Sequence, residues 1–417
     1  MDGTVNSDSS VYYQSGYWND LRLVQRYLNR RATGDPEQSW SEHLAAYHDG
    51  KFAKALVLNC GNGWVERGLV QSGLVAEAVG VDFSDDLLDS ARAEADKLGL
   101  PLRYAQLDTN SAQWPEEGFD LVINHAAGHH IAYLDRVLRS IADLLPPDGL
   151  LVSWDYVGAH RNQYPAEQWE AAWQLNATLP AEFRHPELIY PHLPTMLHTD
   201  PTEAIHAELI MPTMRRYFEL EYVRALGGGL AYPVLTFNRG VFDRPAEEAD
   251  PVVRQVLAAD AEWTDADPEA RTLFAYIIAR PHRAAPAPAQ LTAWTAEEAA
   301  RERSAAADGN RYYPETLLGA IYDALDRARR EASQVGLRLS ALDGLDVQPA
   351  AAPAAAGDPT PAAPAQPGPP APPAPPAPPS RLARLRANPR LRAAAKRMPG
   401  LRPLVLRLRE ARARRRS

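Results

Sequence analysis

One stretch constrains the fold of this chain more than any other. In residues 55–69, ALVLNCGNGWVERGL, an apolar run breaks at Cys60-Gly61-Asn62-Gly63 and resumes at helical spacing. A strand that enters a glycine turn and passes straight into a helix opens a strand-helix-strand crossover, because glycine permits the left-handed backbone and close approach such a turn needs. The rhythm continues downstream. Residues 76–82 read as a second strand, 85–98 as a helix, and 102–107, 119–124 and 149–156 as three more strands, with a helix over 133–145. Strands at 217–225 and 272–279 complete a predicted set of seven. Helical crossovers between strands predict a doubly wound, mostly parallel α/β sheet.

The remaining segments are organised around that sheet. Leu21, Val24, Tyr27 and Leu28 recur at three- and four-residue spacing within residues 17–31, predicting an amphipathic helix in an N-terminal segment, 1–39. The sheet domain is expected over 40–282. Insertions at 157–216, rich in Pro, His and aromatic residues, and at 226–270, with a helix over 251–263, are expected to cap the sheet's carboxyl edge. An extension, 283–347, holds two polar helices, 295–307 and 315–335, expected to lie outside the sheet domain. Residues 348–379 contain 14 prolines and predict a semi-rigid spacer.

Charge divides the chain further. Residues 380–417 carry 14 Lys and Arg against the single acid Glu410, so of the formal net charge of -9 the tail contributes +13 and the rest -22. Leucines interleave with these arginines and provide an apolar stripe that suits an anionic lipid surface better than nucleic acid; Pro389, Pro399 and Pro403 interrupt it. A basic extension with no partner, or one folding back on the acidic body, is the alternative. The lone Cys60 excludes a disulfide framework. No apolar run reaches the ~18 residues of a membrane span, and the N-terminus MDGTVNSDSS lacks the character of a signal peptide. These features predict a cytoplasmic protein, held peripherally at the inner face of the membrane if the tail engages lipid.

The chemistry is expected where the strands end. Asp82 closes the second strand about twenty residues after the glycines, the position at which a carboxylate accepts both hydroxyls of a ribose; its plainer role would be to cap the helix beginning at Ser84. A dinucleotide site wants a third glycine, where this chain has Glu66, whose carboxylate would repel a phosphate. The third strand runs into Gln106-Leu107-Asp108-Thr109 and the fourth into Asn124-His125-Ala126-Ala127-Gly128-His129-His130.

This combination resembles the class I S-adenosylmethionine-dependent methyltransferases over residues 55–280. The resemblance implies that Cys60, Gly61, Asn62 and Gly63 surround the methionine part of S-adenosylmethionine, and that Asp82 holds the ribose. It places Phe83 against the adenine, Leu107 and Asp108 at its exocyclic nitrogen, and Asn124 and His125 beside the sulfonium. The chain departs from the family at Val57, usually an acid, and Asn59, usually glycine. The segments WDYVGAHRNQY (154–164), DPTEAIHAE (200–208) and GGGLAYPVL (227–235) are similar to those of bacterial methyltransferases associated with cell-surface sugar biosynthesis.

Methyl transfer to a hydroxyl needs an aligned nucleophile and a base, and histidine titrates in the useful range. His130 is the expected base, with His129 of the adjacent pair pointing away and Asp155 orienting a histidine or holding an acceptor hydroxyl. His160, Arg161, Asn162 and Tyr164 offer donors and acceptors suited to a small or glycan-type acceptor, or else tie the cap to the sheet. Tyr17 and Trp18 either close over the cofactor or staple the first helix. No metal centre is expected, because His185, His192, His198 and His206 lack metal-ligand spacing. A nicotinamide-dependent oxidoreductase and a non-catalytic cofactor-binding scaffold are the competing functions.

Overall fold

The computed structural model describes residues 16–311, apart from 49, 187, 194, 195, 198, 199 and 201, and gives backbone alone for 302–311. The helix expected over 315–335, the proline spacer and the basic tail lie outside the described residues.

Two helices precede the sheet: α1 (Arg22–Thr33) and α2 (Trp40–Tyr47). Alternation then begins with β1 (Phe52–Leu58), α3 (Trp64–Gln71), β2 (Val75–Asp82), α4 (Asp85–Leu98), β3 (Leu102–Gln106), β4 (Leu121–His125), α5 (Leu134–Leu144) and β5 (Leu150–Tyr156). Within the first insertion lie α6 (Ala166–Thr178) and α7 (Ile210–Tyr217), after which come β6 (Phe218–Gly227), α8 (Ala231–Leu235), α9 (Arg239–Phe242), α10 (Ala246–Ala266), β7 (Phe274–Pro281) and α11 (Pro288–Arg311).

The described strands form a seven-stranded sheet in the order β3-β2-β1-β4-β5-β7-β6. It is mixed: β1 pairs parallel with β2 and β4, β2 with β3 and β4 with β5, whereas β7 runs antiparallel to both β5 and β6. The central strands bury both faces, as helices on either side require. In β1, Ala55, Leu56, Val57 and Leu58 are all buried. The chain leaves β1 toward β2 on one side and returns to β4 on the other, so the crevice outside the carboxyl ends of β1 and β4 is the switch point where ligands sit in open α/β sheets.

Local chemistry sets the helix ends. Ser39 and Glu42 form a capping box on α2, and the Ser84 hydroxyl accepts from Leu87 N to start α4, which Gly99 ends at φ 63°. α10 begins at Ala246 rather than near Pro251, which therefore sits inside the helix. α11 packs on α5 instead of standing apart. The Glu298 carboxylate accepts from Asp135 N (2.8 Å) and Arg136 N (3.4 Å), satisfying two donors of the α5 amino end, and Arg301 pairs with Asp135 at 2.8 Å. Trp18 is buried, stacked on Phe274 and edge-on to Tyr232, while Tyr17 packs on Phe237. Both rings thus fasten the start of the chain.

Candidate active site

The glycine turn is tied to β2 at two points. Cys60 N donates to Val81 O at 2.9 Å, and Asp82 Oδ2 accepts from Gly61 N at 2.9 Å while its Oδ1 accepts from Ser84 N at 2.8 Å. Asp82 therefore ties the turn to the end of β2, and the capping of α4 falls to Ser84 itself. Burial raises the Asp82 carboxyl above the usual range against the pull of those backbone donors. Gly63, at φ 77°, admits no side chain: a Cβ would lie 2.5 Å from the Tyr104 hydroxyl.

Val57 and Asn59, the two departures from the resembled pattern, have local explanations. Val57 is core in the middle of β1. Asn59 takes up the left-handed conformation, φ 42°, and its amide joins the turn to its neighbours, accepting from the Thr109 hydroxyl at 2.5 Å and donating to Ala127 O at 3.2 Å.

Glu66 faces inward from the first turn of α3. It is fully buried beside Tyr104, and burial raises its pKa to about 7. The side chain occupies the space a third glycine would open between helix and strand, so it blocks a pyrophosphate by bulk as much as by charge.

Around the turn, Phe83 is 54% exposed. Leu107 N donates to Asp82 O at 2.8 Å, continuing the β2–β3 ladder and bringing Leu107 beside the end of β2. Asp108 is exposed and caps the following turn through Asn110 N. Asn124 and His125, neighbours on β4, face opposite ways as strand alternation requires. Asn124 Nδ2 donates to Ser153 Oγ and Asp155 Oδ2, and its Oδ1 is a buried acceptor with no partner among the described residues. His125 instead lies among Trp40, Trp64 and Trp154, with burial lowering its pKa to about 4.

Asp155, one residue from the end of β5, is the hub of the polar contacts here. Its Oδ1 accepts from Tyr156 N and meets His129 Nδ1 at 2.6 Å; its Oδ2 accepts from Asn124 Nδ2 and, at 3.2 Å, His129 N. Burial opposes the charge on each partner, but the pairing outweighs it: Asp155 is held below the usual carboxylate range and His129 is raised to about 9. His129 is thus an imidazolium at neutral pH.

His130 differs. Burial, and then the His129 charge, lower its pKa, so it is neutral. The Thr202 hydroxyl gives its proton to Asp200 Oδ1 at 2.7 Å and can only accept from His130 Nδ1 at 3.0 Å. The proton of His130 is therefore on Nδ1 and its lone pair on Nε2, which faces the Glu203 carboxylate 4.0 Å away.

The residues expected either to hold an acceptor or to tie the cap to the sheet have these partners. Arg161 is buried and donates to Glu203 O at 3.2 Å, and Asn162 donates to Glu203 Oε1 at 3.3 Å; both adopt positive φ. They hold the segment that carries Glu203. His160 stacks on His206, and Tyr164 is core, parallel to Trp169. Asp200, Thr202 and Glu203 received no role from the sequence, although DPTEAIHAE was singled out. The grouping of His129, His130 and Glu203 is likewise invisible in chain spacing, because Glu203 stands 74 and 73 positions after the two histidines.

Residues 56–153 match the family described as a methyltransferase domain. The chain is 32% identical over 126 residues to a ubiquinone biosynthesis O-methyltransferase of Ruegeria pomeroyi, covering 30% of this chain and 48% of that protein. It is 27% identical over 137 residues to a demethylmenaquinone methyltransferase of Thermus thermophilus, covering 32% and 62%. The chain thus spans about half the length of the curated relatives it matches. Among solved structures, an S-adenosylmethionine-dependent methyltransferase of Mesorhizobium loti aligns at TM-score 0.36 and 19% identity, covering 58% of this chain and 97% of that one.

Proposed function

We propose that this chain transfers the methyl group of S-adenosylmethionine to a hydroxyl of a small, glycan-type acceptor, with His130 taking the hydroxyl proton. The catalytic unit is roughly residues 40–282. The matched methyltransferase domain supports the reaction class, and the observation that carries the mechanism is the tautomer of His130, whose lone pair lies on the nitrogen away from Thr202.

The residues present fit the cofactor. Among the described residues the Asp82 carboxylate is paired only with backbone donors, leaving lone pairs for ribose hydroxyls; Phe83 offers an exposed ring for adenine, and Leu107 and Asp108 would meet its edge. Cys60, Gly61, Asn62 and Gly63 would hold the methionine part, and the unmatched acceptor of Asn124 suits its ammonium donors. His125, enclosed by tryptophans, would form an apolar wall. When bound, S-adenosylmethionine supplies an electrophilic methyl on a sulfonium. His130 Nε2 accepts the hydroxyl proton as the acceptor oxygen bonds to that methyl, leaving a methyl ether and S-adenosylhomocysteine. His129, fixed by Asp155, is not the base; its charge keeps His130 unprotonated.

The glycan class rests on the three segments around Asp155, Glu203 and Gly227. The similarity to O-methyltransferases of quinone synthesis agrees with a hydroxyl acceptor. The basic tail is proposed to hold the enzyme at an anionic membrane surface, with the proline spacer giving reach. Calorimetric titration with S-adenosylmethionine and with NAD tests the cofactor: binding of NAD alone would sink the reading. A screen for S-adenosylhomocysteine release across nucleotide sugars, lipid-linked glycans and small phenols tests the acceptor, and turnover confined to phenols would remove the glycan class.

A further inference from the structure

Two imidazole nitrogens and a carboxylate oxygen converge beside the proposed base. His129 Nε2 is 3.9 Å and His130 Nε2 is 4.0 Å from Glu203 Oε2, the two rings are 4.2 Å apart between centroids, and the three ligand atoms lie within 4.8 Å of one another. Behind each ring stands a partner for the other nitrogen: Asp155 at 2.6 Å from His129 Nδ1, and Thr202 at 3.0 Å from His130 Nδ1. A metal-bound imidazole needs this arrangement, one nitrogen directed to the ion and the other donating to an oxygen that fixes the ring and raises its basicity. Glu203 is fixed in the same way, its Oε1 taken by Asn162 and its carbonyl by Arg161, so that Oε2 is turned to the histidines.

We propose that His129, His130 and Glu203 bind one divalent transition-metal ion, of the zinc or cobalt type, through Nε2, Nε2 and Oε2. Two imidazoles and one carboxylate suit such borderline ions, whereas magnesium and calcium call for oxygen ligands. Tetrahedral bonds of ~2.0 to 2.1 Å place ligand atoms about 3.3 to 3.4 Å apart, so the two distances to Glu203 need close by roughly 0.6 Å and the separation of the two imidazole nitrogens by at most about 1.5 Å. The ion takes the His130 lone pair and displaces the Nε2 proton of the His129 imidazolium to solvent, so metal binding releases one proton. In that part the inference rests on the proposed function: metal and acceptor proton use one nitrogen, so loading with metal and methyl transfer exclude each other, and the ion acts as an off-switch.

The full chain, stripped with a chelator, is titrated with zinc chloride in a calorimeter. One ion per chain is expected, with Glu203→Gln weakening affinity at least tenfold while unfolding temperature and S-adenosylmethionine binding persist, and His129→Ala weakening it as much but also lowering the unfolding temperature, because Asp155 loses its buried partner. Cobalt(II) should give the intense visible absorption of a tetrahedral site in the wild type and lose it in both variants. Should a variant fail to fold, Thr202→Val, which releases only the His130 ring, is expected to weaken zinc binding at least threefold. Zinc binding with equal affinity in all variants, or none, overturns the site. Full S-adenosylhomocysteine release by the zinc-loaded enzyme overturns the off-switch and leaves the site standing. The calorimetric result does not depend on turnover, so failure of the methyl-transfer reading would be seen separately.

Discussion

Asp155 Oδ1 lies 2.6 Å from His129 Nδ1, in a pair formed by residues 26 positions apart at the ends of adjacent strands. The His129 side chain is 11% exposed and that of Asp155 is fully buried. The pair makes His129 a fixed cation beside a neutral His130, and so decides which histidine takes a proton.

That charge has a pH signature in stability. The folded pKa of His129, about 9, exceeds the ordinary 6.5, so its contribution is complete below 6.5 and is lost as pH rises through 9. Chemical denaturation of the wild type should show stability falling across this window by on the order of 3 to 4 kcal/mol, at about 1.4 kcal/mol per pKa unit. Asp155→Asn should flatten the curve there. An unchanged slope would refute the ion pair.

His130→Ala should reduce turnover by roughly a hundredfold or more with cofactor affinity nearly intact. In the wild type the acidic limb of kcat should lie below pH 6.5, because burial and the His129 charge lower the pKa of His130. Asp155→Asn removes much of the His129 charge, so in that variant the limb should move up in pH. A limb that stays in place would show that His130 does not titrate in catalysis.

Asp82 ties the glycine turn to the end of β2 and is proposed to hold the ribose as well. Asp82→Ala should weaken S-adenosylmethionine binding by about 2 to 4 kcal/mol, since charge-assisted hydrogen bonds contribute ~1.5 to 3 kcal/mol each without strict additivity. It should also lower the unfolding temperature, because Gly61 N and Ser84 N lose their acceptor. Equal binding by calorimetry in variant and wild type would exclude the ribose contact.

The sign reverses for Glu66, an acid whose folded pKa of about 7 stands above the ordinary 4.5. The charge penalty of its burial is therefore absent at pH 4, grows as pH rises from 4.5, and is complete above 7. Glu66→Gln should be more stable than wild type at pH 8 by up to about 3 kcal/mol, and near equal at pH 4. Parallel stability curves in urea titrations would contradict this.

Truncation after Pro379 should abolish cosedimentation with anionic vesicles at low salt while leaving cofactor binding unchanged. Binding of the full chain should weaken as salt screens the basic residues. Equal sedimentation of both chains would defeat the membrane proposal.

The seven strands and their helices were legible because alternation of apolar runs with glycine and polar turns is a local signal. Residues 85–98 agree with α4 to the residue, through an N-cap serine and a terminal glycine. Helix α2 passed unread although Ser39 and Glu42 announce it, and α6 and α7 were hidden in a Pro- and His-rich insertion. Side-chain direction was less legible: Tyr164, expected at an acceptor or as a tie of the cap, is core because its ring finds Trp169, and α11 joins the body through contacts of Trp294, Glu297, Glu298 and Arg301. By itself the sequence determined the crossover rhythm, the glycine turn and the acid that closes β2, all set by short-range spacing. Only the tertiary structure decided that Asp155 pairs with His129, that Thr202 sets the tautomer of His130 and that Glu203 faces both. Those contacts join β4, β5 and an insertion, and proton placement depends on burial and neighbouring charge that no local pattern records.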